Sequence, residues 1–234
     1  MKIEVVSALK EYKGTKALEV ENIKFGEGRI YAILGLNGSG KSTLLHCIAG
    51  TCKLTKGEIK YNGKNFISEK NNISLMMQYP YLFNCSAKEN IIMGLKFRQM
   101  SLNDIELRFE NYAKYFDIGE IINKNGKRLS GGEAAKVAML RTVIQETEVV
   151  ILDEPTASMD IESTIKAETL IKDIMDDKKT IIVVTHDLYQ AERVADEVIF
   201  MDKGRILEMG EKNSIFKNPT NPKLRLLLNK IAIK

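Results

Sequence analysis

The sequence predicts an α/β fold: a core with a parallel sheet, an N-terminal antiparallel β subdomain and an inserted α-helical subdomain. Short apolar and β-branched runs separated by turn residues fill roughly the first quarter of the chain, which is typical of strands. Strand patterns are absent from about residue 86 to residue 127, where helical patterns replace them. Buried-strand patterns return at 149–152 and 180–185, so the helical segment interrupts a parallel sheet.

The elements before the insertion are bounded by turn residues. Lys13-Gly14 and Asn62-Gly63 are turn dipeptides, and Gly50 ends a helix. Tyr79-Pro80 closes the last strand of this part. The predicted strands are 2–6, 17–25, 31–34, 57–61 and 73–78, and the predicted helix is 43–49.

The inserted helices are expected at 87–95 and 102–116, the second starting at a Ser101/Asn103 cap with Asp104 in its first turn. We place the helical subdomain at about 86–135 within a single domain that spans 1–234.

After the insertion, a helix between the two parallel strands should pack on the sheet through an apolar stripe. A tight hairpin at Asp202-Lys203-Gly204 joins strands 197–201 and 205–209, and a tail covers about 211–234. The stripe consists of Ile165, Leu170, Ile171, Ile174 and Met175.

Composition sets the broad class of the protein. Of 234 residues, 44% are hydrophobic and 28% are charged, as in ordinary globular proteins. The net charge of +4 is small and the basic residues are scattered, so we expect no nucleic acid partner. No apolar run approaches the ~20 residues that span a bilayer, and the start does not resemble a signal peptide. Cys47, Cys52 and Cys85 lack zinc or redox spacing, which indicates reduced thiols, with Cys47 in the core. We therefore expect a soluble intracellular protein.

One glycine-rich loop fits the phosphate-loop (P-loop) pattern in full. Gly35-x4-Gly40-Lys41-Ser42 lies between a buried strand and a helix. Its glycines let backbone N–H groups point at phosphates, the lysine adds a charge, and the serine hydroxyl can bind Mg²⁺. The core is therefore predicted to be that of a P-loop NTPase. The predicted nucleotide-binding residues here are Gly35, Asn37, Gly38, Ser39, Gly40, Lys41, Ser42 and Thr43.

Two adjacent carboxylates follow the strand at 149–152. Asp153 and Glu154 should lie at the carboxyl edge of the parallel sheet, where such sheets bind ligands. Like charges repel there, so the pair rarely serves stability. We expect Asp153 to hold Mg²⁺ through water and Glu154 to be the base that polarises the attacking water. His186 ends the neighbouring strand, which would place its imidazole near the γ-phosphate.

A second anion site is expected where the sequence reads LSGGE. Adjacent glycines allow close approach to a phosphate, and the helix after them points its positive end at the same place. One chain thus carries two phosphate-binding surfaces far apart in sequence. The residues of this signature are Leu129, Ser130, Gly131, Gly132 and Glu133.

The order of these motifs resembles that of the ATP-binding cassette (ABC) ATPases, from about Tyr12 to about Gly210. The resemblance implies ATP and Mg²⁺ as cofactors, and a homodimer in which each signature closes over ATP held by the partner subunit. It implies that Tyr12 stacks on adenine, that His186 is a catalytic switch, and that the loop with Ser158 and Asp160 crosses the dimer seam. The Mg²⁺ ligands it implies are Ser42, Gln78 and Asp153, with Gln78 also sensing the attacking water.

Departures from the family pattern are mild. Ala135-Lys136 stands where Gln-Arg is usual, and Tyr79 rather than an acidic residue follows Gln78. Neither change removes a catalytic group. His46, in the helix after the phosphate loop, is interpreted as structural.

The family resemblance implies that the moving parts lie in other chains. One interpretation is a cytoplasmic transporter ATPase, peripheral on the inner face of the membrane. It would bind two permease subunits directly and serve an extracytoplasmic solute-binding protein indirectly. An alternative is a soluble assembly ATPase of the iron–sulfur scaffold type. A DNA-repair ATPase needs a long coiled coil between its motifs, and this chain has no room for one.

The segment after Gln78 favours the importer. Its run YPYLFNCSAKENIIMGL resembles importer ATPases for small oxyanions, most of all the tungstate and molybdate type, with phosphate or polar amino acids as alternatives. The face formed by residues 78–83 and the helix from Ala87 is predicted to bind a short permease helix, because Tyr79, Tyr81, Leu82 and Phe83 form an apolar aromatic cluster there. Under the other interpretation, Leu82 and Phe83 anchor the helical subdomain to the core.

Overall fold

The computed structural model describes the backbone of residues 1–232 and the side chains of residues 1–229. The end of the predicted tail, 233–234, lies outside the described residues. The strands are β1 (Ile3–Tyr12), β2 (Thr15–Phe25), β3 (Arg29–Leu34), β4 (Lys56–Tyr61), β5 (Ile73–Met76), β6 (Val149–Asp153), β7 (Thr180–Val184), β8 (Glu197–Asp202) and β9 (Arg205–Glu211). The helices are α1 (Lys41–Ile48), α2 (Phe66–Glu69), α3 (Ala87–Phe97), α4 (Leu102–Ala113), α5 (Gly131–Val143), α6 (Ile161–Asp173), α7 (Leu188–Val194), α8 (Lys212–Lys217) and α9 (Pro222–Ala232).

A six-stranded sheet with the order β5-β6-β7-β3-β8-β9 forms the core. The pairs from β5 to β8 are parallel, and β9 joins as an antiparallel edge. Every residue of β6 and β7 is buried, which explains their unbroken apolar and β-branched sequences. The predicted α/β fold is confirmed. Its consequence for the site is that β5, β6, β7 and β3 all end at the same edge.

The N-terminal sheet is antiparallel, with the order β2-β1-β4. The prediction for its first strand, 2–6, is too short, because β1 runs to Tyr12. Ser7 has a positive φ of 48°, and the pairing with β4 shifts register between Val6 and Leu9. Such a bulge interrupts the period-2 alternation on which the prediction depends. The hairpin at 202–204 is confirmed, with β8 and β9 joined through Lys203 and Gly204.

Three apolar clusters hold these layers together. One lies between the six-stranded sheet and the helices α3–α6, and includes Leu95, Leu140 and Leu170. A second fills the space between the two sheets around α1. A third packs α7, α8 and α9 against the face of β3 and β8, with Leu224 fully buried. Cys47 is buried, as expected, and the cysteines are free thiols.

Two helix predictions need correction. The helix expected at 102–116 ends at Ala113, although its Ser101 cap is confirmed by a 3.1 Å hydrogen bond from the Asp104 N–H. The predicted stripe on α6 is wrong at Ile165, which is 59% exposed. Met175 lies beyond the helix end but packs against the core cluster, as predicted. The face of α6 that packs on the sheet is centred on Ala167, Leu170 and Ile171. Among the described residues, no helix is both long and apolar enough to span a membrane.

Candidate nucleotide-binding site

The loop between β3 and α1 has the geometry of an anion cradle. Gly40 has a φ of 99°, and a Cβ there would lie 2.7 Å from the Ala17 carbonyl oxygen, so the position requires glycine. Helix α1 begins directly after it without a side-chain cap or an acidic residue in its first turn. Its first N–H groups and its positive end therefore face the loop, as anion binding requires.

Lys41 is held inside this loop. Its Nζ donates to the carbonyl oxygen of Gly35 at 2.8 Å and to that of Leu36 at 3.2 Å. Burial lowers the pKa of Lys41, an effect that the negative charges of Glu154 and Asp153 oppose. Within the described side chains, the buried Ser39 Oγ has no hydrogen-bond partner. A buried hydroxyl without a partner fits a site that receives phosphate oxygens.

Ser42 and Asp153 meet at the ends of α1 and β6. Ser42 Oγ lies 3.4 Å from Asp153 Oδ1. Burial is the largest effect on Asp153 and raises the pKa of its carboxyl, although the hydrogen bond from Ser42 opposes it. One hydroxyl and one carboxylate form a hard oxygen donor set. Mg²⁺ in such sites keeps several waters and phosphate oxygens as further ligands, so these residues fit the ion.

Glu154 is fixed by its backbone and by His186. It has a positive φ of 49°, a conformation that costs a non-glycine residue about 1–3 kcal/mol. Its N–H donates to the Val184 carbonyl at 2.9 Å, and its Oε2 lies 2.9 Å from His186 Nδ1. Glu154 is buried whereas His186 is exposed. The strained turn therefore holds one carboxylate at the sheet edge, with an accessible imidazole beside it.

Gln78 and Tyr12 complete the wall of a cavity of about 430 Å³ at the loop, which Glu154 also lines. The prediction that Gln78 ends its own strand is wrong, since β5 ends at Met76 and Gln78 lies in the exposed loop after it. The Tyr12 hydroxyl lies 3.3 Å from Cys52 Sγ, and this hydrogen bond is the main cause that raises the pKa of Tyr12 to about 12.

His46 bonds to Thr51 Oγ1 through Nδ1 at 2.9 Å, which fits its structural interpretation.

Residues 129–133 lead into α5, which begins at Gly131, and they do not line that cavity in the described part of the chain. Ser130 is the N-cap: its Oγ accepts from the Glu133 N–H at 3.3 Å, and Glu133 Oε2 accepts from the Ser130 N–H at 2.8 Å. A capping serine uses one lone pair and keeps its O–H free to donate. Ser130 can thus stabilise α5 and still bind an anion in front of the helix.

The loop with Ser158 and Asp160 lies beside this signature in the same chain. A Cβ at Gly132 would lie 2.9 Å from the Ser158 carbonyl oxygen. Asp160 caps α6 by accepting from the Ser163 N–H at 2.7 Å, and this bond lowers the pKa of its carboxyl. Sequence reasoning missed the contact between Gly132 and Ser158, because it assigned the glycine to phosphate approach alone. No local sequence signal identifies it.

The fold and this edge of the sheet define the class as a P-loop ATPase. The ABC transporter family model matches residues 18–157, and the chain belongs to this family. It is therefore an ATP-binding subunit with ATPase activity.

Named relatives include transport ATPases. The tungstate uptake system ATP-binding protein TupC of Peptoclostridium acidaminophilum is 36% identical over 220 residues, covering 92% of this chain and 100% of that protein. The phosphate import ATP-binding protein PstB of Shewanella denitrificans is 34% identical over 230 residues, covering 91% and 84% respectively. A dimeric post-hydrolysis structure of an ATP-binding cassette with ADP and phosphate is 26% identical, with a TM-score of 0.82, and covers 90% of this chain and 98% of that one.

Proposed function

We propose that the chain is the ATP-hydrolysing subunit of an importer for a small oxyanion. In this proposal the phosphate loop and Lys41 bind the phosphates of ATP, and Tyr12 stacks on adenine. Ser42, Gln78 and Asp153 hold Mg²⁺, directly or through water. The ion would bridge phosphate oxygens and neutralise the charge that develops on them.

Glu154 is the proposed base. Its buried carboxylate, fixed by the strained turn and by His186, would accept the proton of the attacking water. His186 is exposed beside it and would keep the carboxylate in one orientation. Gln78, in the exposed loop after β5, would help to position the same water.

The second phosphate surface requires a second copy of the chain. Residues 129–133 lie outside the cavity at the phosphate loop, so they would close over ATP bound by the partner subunit. The dimeric structure of a related cassette supports a homodimer. Ser158 and Asp160 would then cross the seam between the two copies.

The observation that supports a permease partner most directly is an exposed aromatic cluster after β5. Tyr79, Tyr81 and Phe83 are 84%, 61% and 45% exposed, whereas Leu82 between them is buried. The prediction that all four residues form the surface is therefore corrected: Leu82 anchors the loop, and the three rings remain outside. The Tyr81 and Phe83 rings stack edge to face at 5.8 Å. Exposed aromatic side chains that become buried when a partner binds are typical interface anchors.

The names of the relatives support importers of tungstate and phosphate, and we propose tungstate as the substrate with phosphate as the alternative. The subunit would lie on the cytoplasmic face of the membrane, bound to two permease subunits. An extracytoplasmic solute-binding protein would deliver the anion to them.

Charge in the aromatic cluster tests the proposal. Tyr79→Asp with Tyr81→Asp should abolish co-purification with the permease and uptake of tungstate, because an interface core tolerates no unpaired charge. Ile67→Asp is the matched control, since Ile67 is an equally exposed apolar residue in α2. The melting temperature should stay within a few degrees in all variants.

Three results would overturn parts of this assignment. Normal uptake by the double variant would remove the aromatic cluster as the permease surface. Loss of phosphate rather than tungstate uptake in a strain without this chain would change the substrate. Co-purification with soluble scaffold proteins alone would favour the assembly ATPase.

A further inference from the structure

Asn90 in α3 is fully buried, and its side chain forms hydrogen bonds with residues 83–86, which begin at the last residue of the aromatic cluster. Its Oδ1 accepts from the Phe83 N–H at 2.8 Å, and its Nδ2 lies 3.2 Å from the Phe83 carbonyl oxygen. Nδ2 also lies 3.3 Å from the Cys85 carbonyl oxygen and 3.0 Å from that of Ser86. The donors and the acceptor of this amide are therefore all directed at the loop 83–86.

The same loop is joined to the residues that precede the signature. The Gly126 N–H donates to the Cys85 carbonyl at 2.8 Å, and the Ala87 N–H donates to the Lys124 carbonyl at 2.9 Å. A Cβ at Gly126 would lie 2.8 Å from Asn90 Nδ2 and 2.9 Å from the Phe83 carbonyl oxygen. Gly126 thus lies directly against Asn90, and a larger residue would force the two segments apart.

From Gly126 the chain reaches the signature in a short, ordered path. A 3₁₀ turn covers Gly126–Arg128, and Ser130 then caps α5. Helix α5 is tied to the loop a second time, because Arg141 Nη1 donates to the Tyr81 carbonyl at 2.9 Å. The loop is therefore fixed both to the segment before the signature helix and to the last turn of that helix.

We propose that Asn90 is a positioning residue that couples the aromatic loop 79–83 to the position of Ser130. The inference rests on the proposed function, in which the loop meets the permease and Ser130 meets the ATP of the partner subunit. Asn90 touches neither. Its amide makes the loop and the segment 124–130 move as one body, so that a displacement of the rings changes the geometry of the second phosphate surface.

Hydrogen exchange on the full chain tests the coupling without nucleotide or permease. Asn90→Ala should raise the exchange rate of amides in both 83–87 and 124–130 by about tenfold. The Phe83 N–H and carbonyl oxygen lose their hydrogen-bond partner, and Gly126 loses the side chain against which it packs. Amides of β6 should keep their rates. Ser74→Ala is the control: Ser74 is also buried, and its hydroxyl bonds to Thr147 Oγ1 at 2.8 Å, but it contacts neither segment.

A dimerisation measurement gives the functional side of the same test. In the Glu154→Gln background, Asn90→Ala should weaken ATP-dependent dimerisation by about tenfold, as expected for a coupling between two sites. The affinity for a fluorescent ATP analogue should stay within about twofold, since the phosphate loop is untouched. Asn90→Asp keeps the acceptor for the Phe83 N–H but directs a buried carboxylate at the carbonyl oxygens of Cys85 and Ser86, so its effect should be at least as large as that of Asn90→Ala.

The two experiments separate the inference from the function it rests on. Faster exchange confined to 83–87, with 124–130 unchanged, would overturn the role of Asn90. An equal loss of dimerisation in Ser74→Ala would reduce Asn90 to a general stability residue, and would also overturn it. If Glu154→Gln alone fails to dimerise, the proposed ATP sandwich is wrong, and the exchange data still decide whether Asn90 couples the two segments.

Discussion

At the scale of single residues, the site contains charged side chains that are buried from solvent. Lys41, Asp153 and Glu154 are buried at one edge of the sheet. Burial disfavours the charged form of each sign, which is why the pKa of Lys41 is lowered and the pKa of Asp153 is raised. Residues that weaken the fold in this way are retained for what they bind. This conflict between stability and function can be measured.

Asp153→Asn should raise the melting temperature of the nucleotide-free protein while impairing Mg²⁺-dependent ATP hydrolysis. Because the pKa of Asp153 is raised in the fold, the stability from its protonated form is complete below the unfolded pKa and is lost as the pH rises through the folded pKa. At neutral pH the ionised carboxylate therefore destabilises the protein. We expect a gain of a few degrees at about pH 7.5 that shrinks as the pH falls through the folded pKa of Asp153 toward the unfolded value of about 3.9, because protonation removes the buried charge.

Asp117→Asn, at an exposed position, is the control and should show no gain at either pH. A lower melting temperature for Asp153→Asn at neutral pH would mean that the hydrogen bond from Ser42 outweighs the cost of burial.

At the scale of elements, the sequence supports some predictions better than others for physical reasons. Strands β6 and β7 could be predicted because they are buried on both faces and their sequences are continuously apolar. β1 could not be predicted in full, because the bulge at Ser7 breaks the alternation of its side chains. The residues at the sheet edge could be predicted once the strands were located, because they lie directly after the strand ends. The contacts of Gly132 and Asn90 could not be predicted, because their partners are set by tertiary packing.

The corrected face of α6 makes a stability prediction. Leu170→Ala should cost about 2–5 kcal/mol in the free energy of unfolding, because Leu170 is fully buried against the sheet. Ile165→Ala should change it by less than about 0.5 kcal/mol, since the side chain is exposed. Urea unfolding followed by circular dichroism measures both. A similar, large cost for the two variants would restore the stripe that the sequence predicts and contradict the orientation of α6.

At the scale of the whole molecule, the chain is half of a catalytic unit in our proposal. The phosphate loop, Asp153, Glu154 and His186 converge at one edge of the sheet. The signature is assembled separately, at the start of α5 and against the loop with Ser158. Two copies arranged head to tail would bring each signature to the other's ATP. In this arrangement one motif would serve both as the cap of α5 and as an anion site.

The most direct test of this central claim is the mass of Glu154→Gln in the presence of ATP and Mg²⁺, measured by sedimentation velocity. The glutamine keeps the shape of the site but removes the base, so hydrolysis stops and ATP stays between the copies. We predict a doubled mass with ATP and a monomer without it. Adding Ser130→Arg should return the protein to a monomer that still binds ATP, whereas Ser68→Arg, at an exposed site in α2, should not. A strictly monomeric Glu154→Gln chain, together with full ATPase activity of the monomeric unmodified protein, would contradict the account.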